Sequence, residues 1–140
     1  MAKKTKPKNG MLLQSSGRRK TATARLTLYK GSGKIRINGQ LLSSLEWPDY
    51  IKLKIMEPVL LASDVANKYD YHISVAGGGI TGQADAMRLA IGKALVKQDK
   101  KLEKTFLAYD RQLLVADIRV KEQYKPNDSK ARSRRQKSYR

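Results

Sequence analysis

Charge is spread so unevenly along this chain that it decides how much of it can fold. Residues 1–25 carry eight Lys or Arg and no acid, and residues 119–140 carry nine against Glu122 and Asp128, whereas residues 26–118 hold 13 basic and 10 acidic groups. Two cationic arms therefore flank a nearly balanced globule, and 15 of the 18 net positive charges lie on the arms. An arm such as the terminal "KARSRRQKSYR" repels itself and has too little apolar surface to offset the entropy of ordering. It calls for a polyanion. The Arg-rich composition favours nucleic acid, because guanidinium forks onto phosphate oxygens and stacks on bases. A membrane surface would require Leu, Trp or Phe opposite the cations, and residues 125–140 contain none of the three.

At 140 residues the chain matches one domain with appendages. The expected division is a basic leader over 1–11, a globular domain over 12–118 and an extended basic tail over 119–140. There is no Cys, which removes disulfides and thiolate chemistry and nearly removes zinc sites. Met11, Leu12 and Leu13 are too short an apolar run for a signal peptide, and no stretch approaches the roughly 20 apolar residues of a membrane span. A soluble intracellular protein without a membrane partner is expected.

Within the globule, "KTATARLTLYK" alternates, with Ala22, Ala24, Leu26 and Leu28 on one face and Thr23, Arg25 and Thr27 on the other, which predicts a half-buried strand. "GSG" at 31–33 interrupts it and "KIRING" resumes the period, which predicts a hairpin with Arg25 and Arg36 facing outward and a turn at Asn38-Gly39. Pro48 opens a helical pattern through Ile51, Ile55 and Val59 that Pro58 is expected to kink or split. "YDYHISVA" predicts a second strand with Tyr69, Tyr71, Ile73 and Val75 inward. A long helix follows with Met87, Ile91, Ala94 and Leu95 on its apolar face and Arg88 and Lys97 away from it, then a shorter helix over "KLEKTFLAYD". The sum is an α+β domain, a small sheet covered by helices on one face.

"VAGGGITGQADA" is the sharpest local motif. Gly77, Gly79 and Gly82 satisfy G-x-G-x-x-G between a strand and a helix, but the helix leads to the charged "KQDKKLEKTF" rather than to a second buried parallel strand with an acid for a ribose. Read as a phosphate loop, the motif continues with Gln83-Ala84 where Lys and Ser or Thr are needed. The glycines either make a tight turn that lets the helix pack closely or present free N–H groups of Gly78 and Gly79 to a nucleic-acid phosphate. His72, the one histidine, has no Cys or clustered carboxylates to complete a metal site. Asp110, Arg111 and Asp117 suit either a structural ion pair or the placing of Arg111 toward RNA, and as a catalytic dyad they lack a nucleophile and a base. No catalytic set, metal or cofactor is expected, and the chain reads as a binder, not an enzyme.

Four stretches, "GRRKTATARLTLYKGSGKIRING", "KIMEPVLLA", "VAGGGITGQADAMRLAIGKAL" with "YDRQLLVAD", and "ARSRRQKSYR", together resemble in their order the family of the ninth universal protein of the small ribosomal subunit. "KIMEP" and the "QKSYR" ending resemble the archaeal and eukaryotic branch, with the short length favouring an archaeal member. In "DIRV", Arg119 is retained, while Ile118 and Val120 stand where the family has Pro and a second Arg.

The resemblance implies a two-layer ribosomal protein S-five domain 2-like fold with a left-handed β-α-β crossover. It implies a place on the head of the small subunit, on the 3′ major domain of the rRNA beside neighbouring ribosomal proteins, in the cytoplasmic ribosome and without self-assembly. The rRNA contacts it implies are Arg18, Arg19, Lys20, Arg25, Arg36, Gly78, Gly79, Gln83, Arg88, Arg111, Arg119, Lys130, Arg132, Arg134 and Arg135. Lys137, Ser138, Tyr139 and Arg140 are implied to reach the anticodon stem-loop of the peptidyl-site tRNA. Sixteen residues from Lys125 to Arg140 can span at most roughly 50 Å, enough to run from a peripheral globule into a functional centre. Two rival readings are a histone-like compactor of nucleic acid and a nucleotide-dependent enzyme built on Gly77 to Gly82.

Overall fold

A computed structural model describes residues 10–127 and 130–134. Its elements are β1 (Met11–Arg19), β2 (Ala22–Lys30), β3 (Ile35–Ile37), β4 (Gln40–Leu41), α1 (Asp49–Leu61), α2 (Ser63–Ala66), β5 (Tyr69–Ala76), α3 (Ile80–Gln98) and α4 (Leu102–Tyr109). Single 3-10 turns occur at Leu42–Ser44 and Arg111–Leu113.

The strands form one five-stranded sheet in the order β1-β2-β5-β3-β4, antiparallel throughout except for the parallel pair β3 and β5. This corrects the expected hairpin between β2 and β3: β5 lies between them. The intervening loop fastens onto the start of β5 instead of folding back on β2. Gly31 N–H donates to Lys68 O (3.0 Å), and the N–H groups of Ser32 and Lys34 donate to Asp70 Oδ1 (2.8 and 3.0 Å). Because the side-chain period is the same in either pairing, alternation could not choose the partner. The turn at Asn38-Gly39 does form, with φ of 48° and 90°, and joins β3 to β4. Asn38 also extends the parallel ladder, its Oδ1 accepting from Val75 N–H (2.9 Å) and its Nδ2 donating to Val75 O (3.2 Å).

The alternation in β2 and β5 falls as read. Ala22, Ala24, Leu26, Leu28, Tyr71, Ile73 and Val75 are buried beneath Ile51, Ile55, Met87, Ile91 and Leu95 of the helices. Each large aliphatic side chain so buried contributes roughly 1.5–3 kcal/mol. Tyr71 satisfies its buried hydroxyl by donating to Ala66 O (3.0 Å), and burial pushes its phenol above the ordinary range. Pro58 does not split α1; it is itself buried, and the helix runs on to Leu61, where Ala62 (φ −123°, ψ 37°) separates α2. Packing of Ile51, Ile55 and Val59 outweighs the missing N–H.

β1 was not legible as a strand. Its inward residues beneath α3 are small, Ser15 and Gly17, because the helix lies almost on the backbone: a Cβ at Gly17 would stand 2.0 Å from Ala86 O. Gly77 turns the chain from β5 into α3 with φ of 77°, and a Cβ there would meet Thr21 O at 2.5 Å. Close strand-to-helix packing is thus one use of the glycine motif. No further strand follows α3 among the described residues, so the dinucleotide architecture does not form.

Candidate nucleic-acid interface

With α3 and α1 on one side, the other face of the sheet is open. The pairing registers set its side chains in rows: Ser16, Arg25 and Ser74 lie side by side across β1, β2 and β5, and Gln14, Thr27, His72 and Arg36 do so in the next row across β1, β2, β5 and β3. Tyr29 meets His72 edge to face, with ring centroids 4.8 Å apart. Lys97, from the last turn of α3, borders the same shallow surface. Arg25 and Arg36 are exposed, and neither makes an ion pair among the described residues. Among the described residues the one acid on this face is Asp70, which is bound at its end. Burial alone would raise its pKa, but the N–H bonds from Ser32 and Lys34 hold the carboxyl below the usual range. The face therefore offers free cations, hydroxyls, amides and two rings, the groups that meet phosphates and unstacked bases.

The second part is the end of the domain where the β1–β2 turn meets the glycine loop. Lys20 occupies the turn with φ of 53°, Arg18 Nε donates to Lys20 O (3.2 Å), and Gly78 and Gly79 stand exposed beside them. Gly79 precedes the first turn of α3 and gives it no side-chain cap, so the helix opens with uncapped N–H groups toward the basic turn. Gln83, by contrast, is half-buried and donates from Nε2 to Gly77 O (3.1 Å), bracing the loop.

Two arginines sit differently from the reading by sequence. Arg88 was expected on the outer face of its helix; its side chain is only 8% exposed, with Nη2 2.8 Å from Asp110 and Nε 2.5 Å from Glu57 Oε2, the latter a close ion contact rather than an aligned hydrogen bond. Burial opposes its charge, but the two carboxylates outweigh that and raise its pKa. The physical reason is that α3 is covered on two sides, by the sheet and by α1, so a position away from the sheet is still inside. Arg19 is half-buried and bridges Asp117 (3.0 Å) and Asp85 (3.7 Å), Asp85 in turn holding Lys54 (2.6 Å). It also donates to Arg119 O (3.2 Å).

Arg119 is exposed but spends its guanidinium on Asp117, at 2.7 Å from Nη2. Together with the N–H of Arg119, that guanidinium holds the Asp117 carboxyl well below the usual range. The contacts of Arg19 to Asp117 and to Arg119 O pin the root of the tail to β1, and Ile118 and Val120 on either side of Arg119 are exposed. Asp110 pairs with Arg88 rather than Arg111, which is exposed and makes no ion pair among the described residues. In the tail, Arg132 reaches back to Glu122 (2.7 Å) and Lys125 donates to Ser133 O (2.9 Å), so this piece folds back on itself rather than extending. Lys130 and Arg134 are exposed. Arg135, Lys137, Ser138, Tyr139 and Arg140 lie outside the described residues.

The sequence pattern of the family described as "Ribosomal protein S9/S16" matches residues 17–140, from near the end of β1 through the tail. The chain belongs to this family. Among similar proteins, the "Small ribosomal subunit protein uS9" of Methanococcus maripaludis strain C7 is 50% identical over 133 residues, covering 92% of this chain and 98% of the relative. The protein of the same name from Thermoplasma volcanium is 48% identical over 128 residues, covering 90% and 96%. The membership is thus of the archaeal type, and it spans the domain and the tail together.

Proposed function

We propose that the protein is a non-catalytic constituent of the small ribosomal subunit, acting in translation in the cytoplasmic ribosome. In this reading it holds small-subunit rRNA of the head, in the 3′ major domain, with its open sheet face and its glycine-loop end. Arg25, Arg36, Arg18 and Lys20 carry the phosphate contacts, with Gly78 and Gly79 offering backbone N–H groups and Arg111, Lys130, Arg132, Arg134 and Arg135 following RNA along the tail. Arg19, Gln83 and Arg119 serve by positioning: they fix the loop and the tail root from which those contacts project, whereas Arg88 joins the helices behind the sheet. The exchange of Glu122 for phosphate at Arg132 costs little, since both side chains of the pair are exposed and solvent screens their attraction.

The same reading gives the domain a ribosomal protein S-five domain 2-like fold, its crossover from β3 through α1 to β5 left-handed. It sends Lys137, Ser138, Tyr139 and Arg140 to the anticodon stem-loop of the peptidyl-site tRNA, and it places neighbouring ribosomal proteins, not a second copy, around the globule. The observation that carries it is the set of unpaired cations on an open, nearly acid-free sheet face in a chain whose family match runs through the tail.

Filter binding to a head-domain rRNA fragment and to duplex DNA of equal length, across a salt series, tests it. Tighter binding to the rRNA at every salt supports the ribosomal role, whereas equal affinity supports a compactor. Removing residues 137–140 is expected to weaken tRNA hold in the peptidyl site while leaving subunit incorporation intact. Unchanged tRNA affinity in purified subunits contradicts the tRNA contact.

A further inference from the structure

The layer opposite the open sheet face has different chemistry. Along the outer side of α1, Tyr50, Leu53 and Leu60 each stand more than half exposed, and Tyr109 at the end of α4 joins them around one shallow groove. Their spacing, 50, 53 and 60 with Glu57 between, is one helical stripe. A contiguous exposed apolar stripe on a water-facing helix marks a contact with another macromolecule.

The groups within the groove decide which. Its cations are already used: Arg88 lies beneath it between Glu57 and Asp110, and Lys54 is held by Asp85 at 2.6 Å. The partners of Arg88 remain accessible, Glu57 at 23% and Asp110 at 32% exposure. Tyr109 turns its phenol toward Glu57, whose hydrogen bond and charge raise the phenol pKa. What this surface shows to solvent is therefore carbon, the phenols of Tyr50 and Tyr109, the Gln112 amide and carboxylate oxygen. Among the described residues phosphate would meet carboxylates with no uncommitted cation in the groove, so RNA is the wrong ligand here. A protein segment carrying apolar side chains beside a Lys or Arg is the complementary one, the former filling the Leu53–Leu60 stripe and the latter bridging Glu57 and Asp110.

We infer that the outer face of α1 and α4 is a protein-docking surface for a basic, apolar-anchored segment of a neighbouring small-subunit protein, the domain being held by RNA on one layer and by protein on the other. This rests on the ribosomal reading above. The chain has no Cys, so Leu53→Cys labels uniquely with a benzophenone maleimide at an exposed position. The full-length labelled protein is assembled into small subunits, the subunits are purified and irradiated, and the crosslinked material is digested and sequenced. The expected product is a peptide of another subunit protein with Lys or Arg next to apolar residues. A crosslink to rRNA, to a second copy of this chain or to a peptide without that chemistry overturns the inference, as does no crosslink from protein that sediments with the subunit.

A second variant uses charge. Leu53→Lys with Leu60→Lys is expected to lower retention in washed subunits by roughly tenfold relative to wild type, since two central anchors are lost and cations face a basic segment. Unchanged or improved retention means that the face meets RNA or nothing, and overturns the docking surface. Failure of the wild-type protein itself to sediment with small subunits is a different result: it defeats the ribosomal reading and the inference with it.

Discussion

Arg36 and Arg88 bear the same side chain and sit on opposite layers of one small domain. Arg36 stands in a row with His72 and Thr27 and makes no ion pair among the described residues; Arg88 is buried between Glu57 and Asp110. The difference teaches that in a chain with a net charge of +18, a cation is informative through its partner rather than its presence. Where acids have been placed to neutralise it, the arginine joins helices together. Where they have been left out, the charge is kept for a ligand.

The largest effect expected from breaking this contrast is on stability. Arg88→Ala leaves two half-exposed carboxylates facing each other over a cavity and should destabilise the fold by about 2–3 kcal/mol, lowering Tm by roughly 10 °C in thermal denaturation. The folded fraction should bind rRNA within about twofold of wild type. Joint replacement Arg25→Ala and Arg36→Ala should do the reverse: Tm nearly unchanged, affinity for the head-domain fragment down by roughly 30-fold, and the salt slope shallower by about 1.5. If the two variants exchanged phenotypes, the division between the layers would be wrong.

A smaller effect sharpens the contrast through pH. Burial would raise the pKa of Asp110, but the Gln112 N–H (2.8 Å) and the Arg88 guanidinium lower it below 3.8. A carboxyl with a depressed folded pKa stabilises above its unfolded pKa and loses that contribution as pH falls through the folded value. Asp110→Asn should therefore cost about 1 kcal/mol at neutral pH, and the gap from wild type should close below pH 3.8 in acid denaturation. The smallest effect belongs to the tail, where Glu122→Gln removes the exposed partner of Arg132 and should leave Tm unchanged within the error of thermal denaturation.

How much of this was written in the sequence depended on what each residue faced. Ala22 to Leu28 and Tyr71 to Val75 alternate against a single helix layer, so strand, face and outward Arg25 and Arg36 were all legible. β1 was hidden because Ser15 and Gly17 are small for the sake of α3, and small residues carry no apolar period. The pairing of β3 with β5 was hidden because alternation fixes a face and not a neighbour. Arg88 was misplaced because a helix wedged between a sheet and another helix has almost no outside, a fact that belongs to the third dimension. The charged arms were plain from the start, yet the pinning of Arg19 and Arg119 to Asp117 joins positions 100 residues apart, and no local pattern announces that.

The central claim, that the open sheet face meets rRNA, is tested most directly by a radical source placed on it. Ser74→Cys, nearly isosteric, exposed and beside Arg25, would be the one thiol of the chain and can carry tethered Fe(II)-EDTA into purified small subunits. Localised strand cleavage in head-domain rRNA is expected from position 74, and little from the same probe at Leu53→Cys. Cleavage from position 53 with none from position 74 would contradict the central claim.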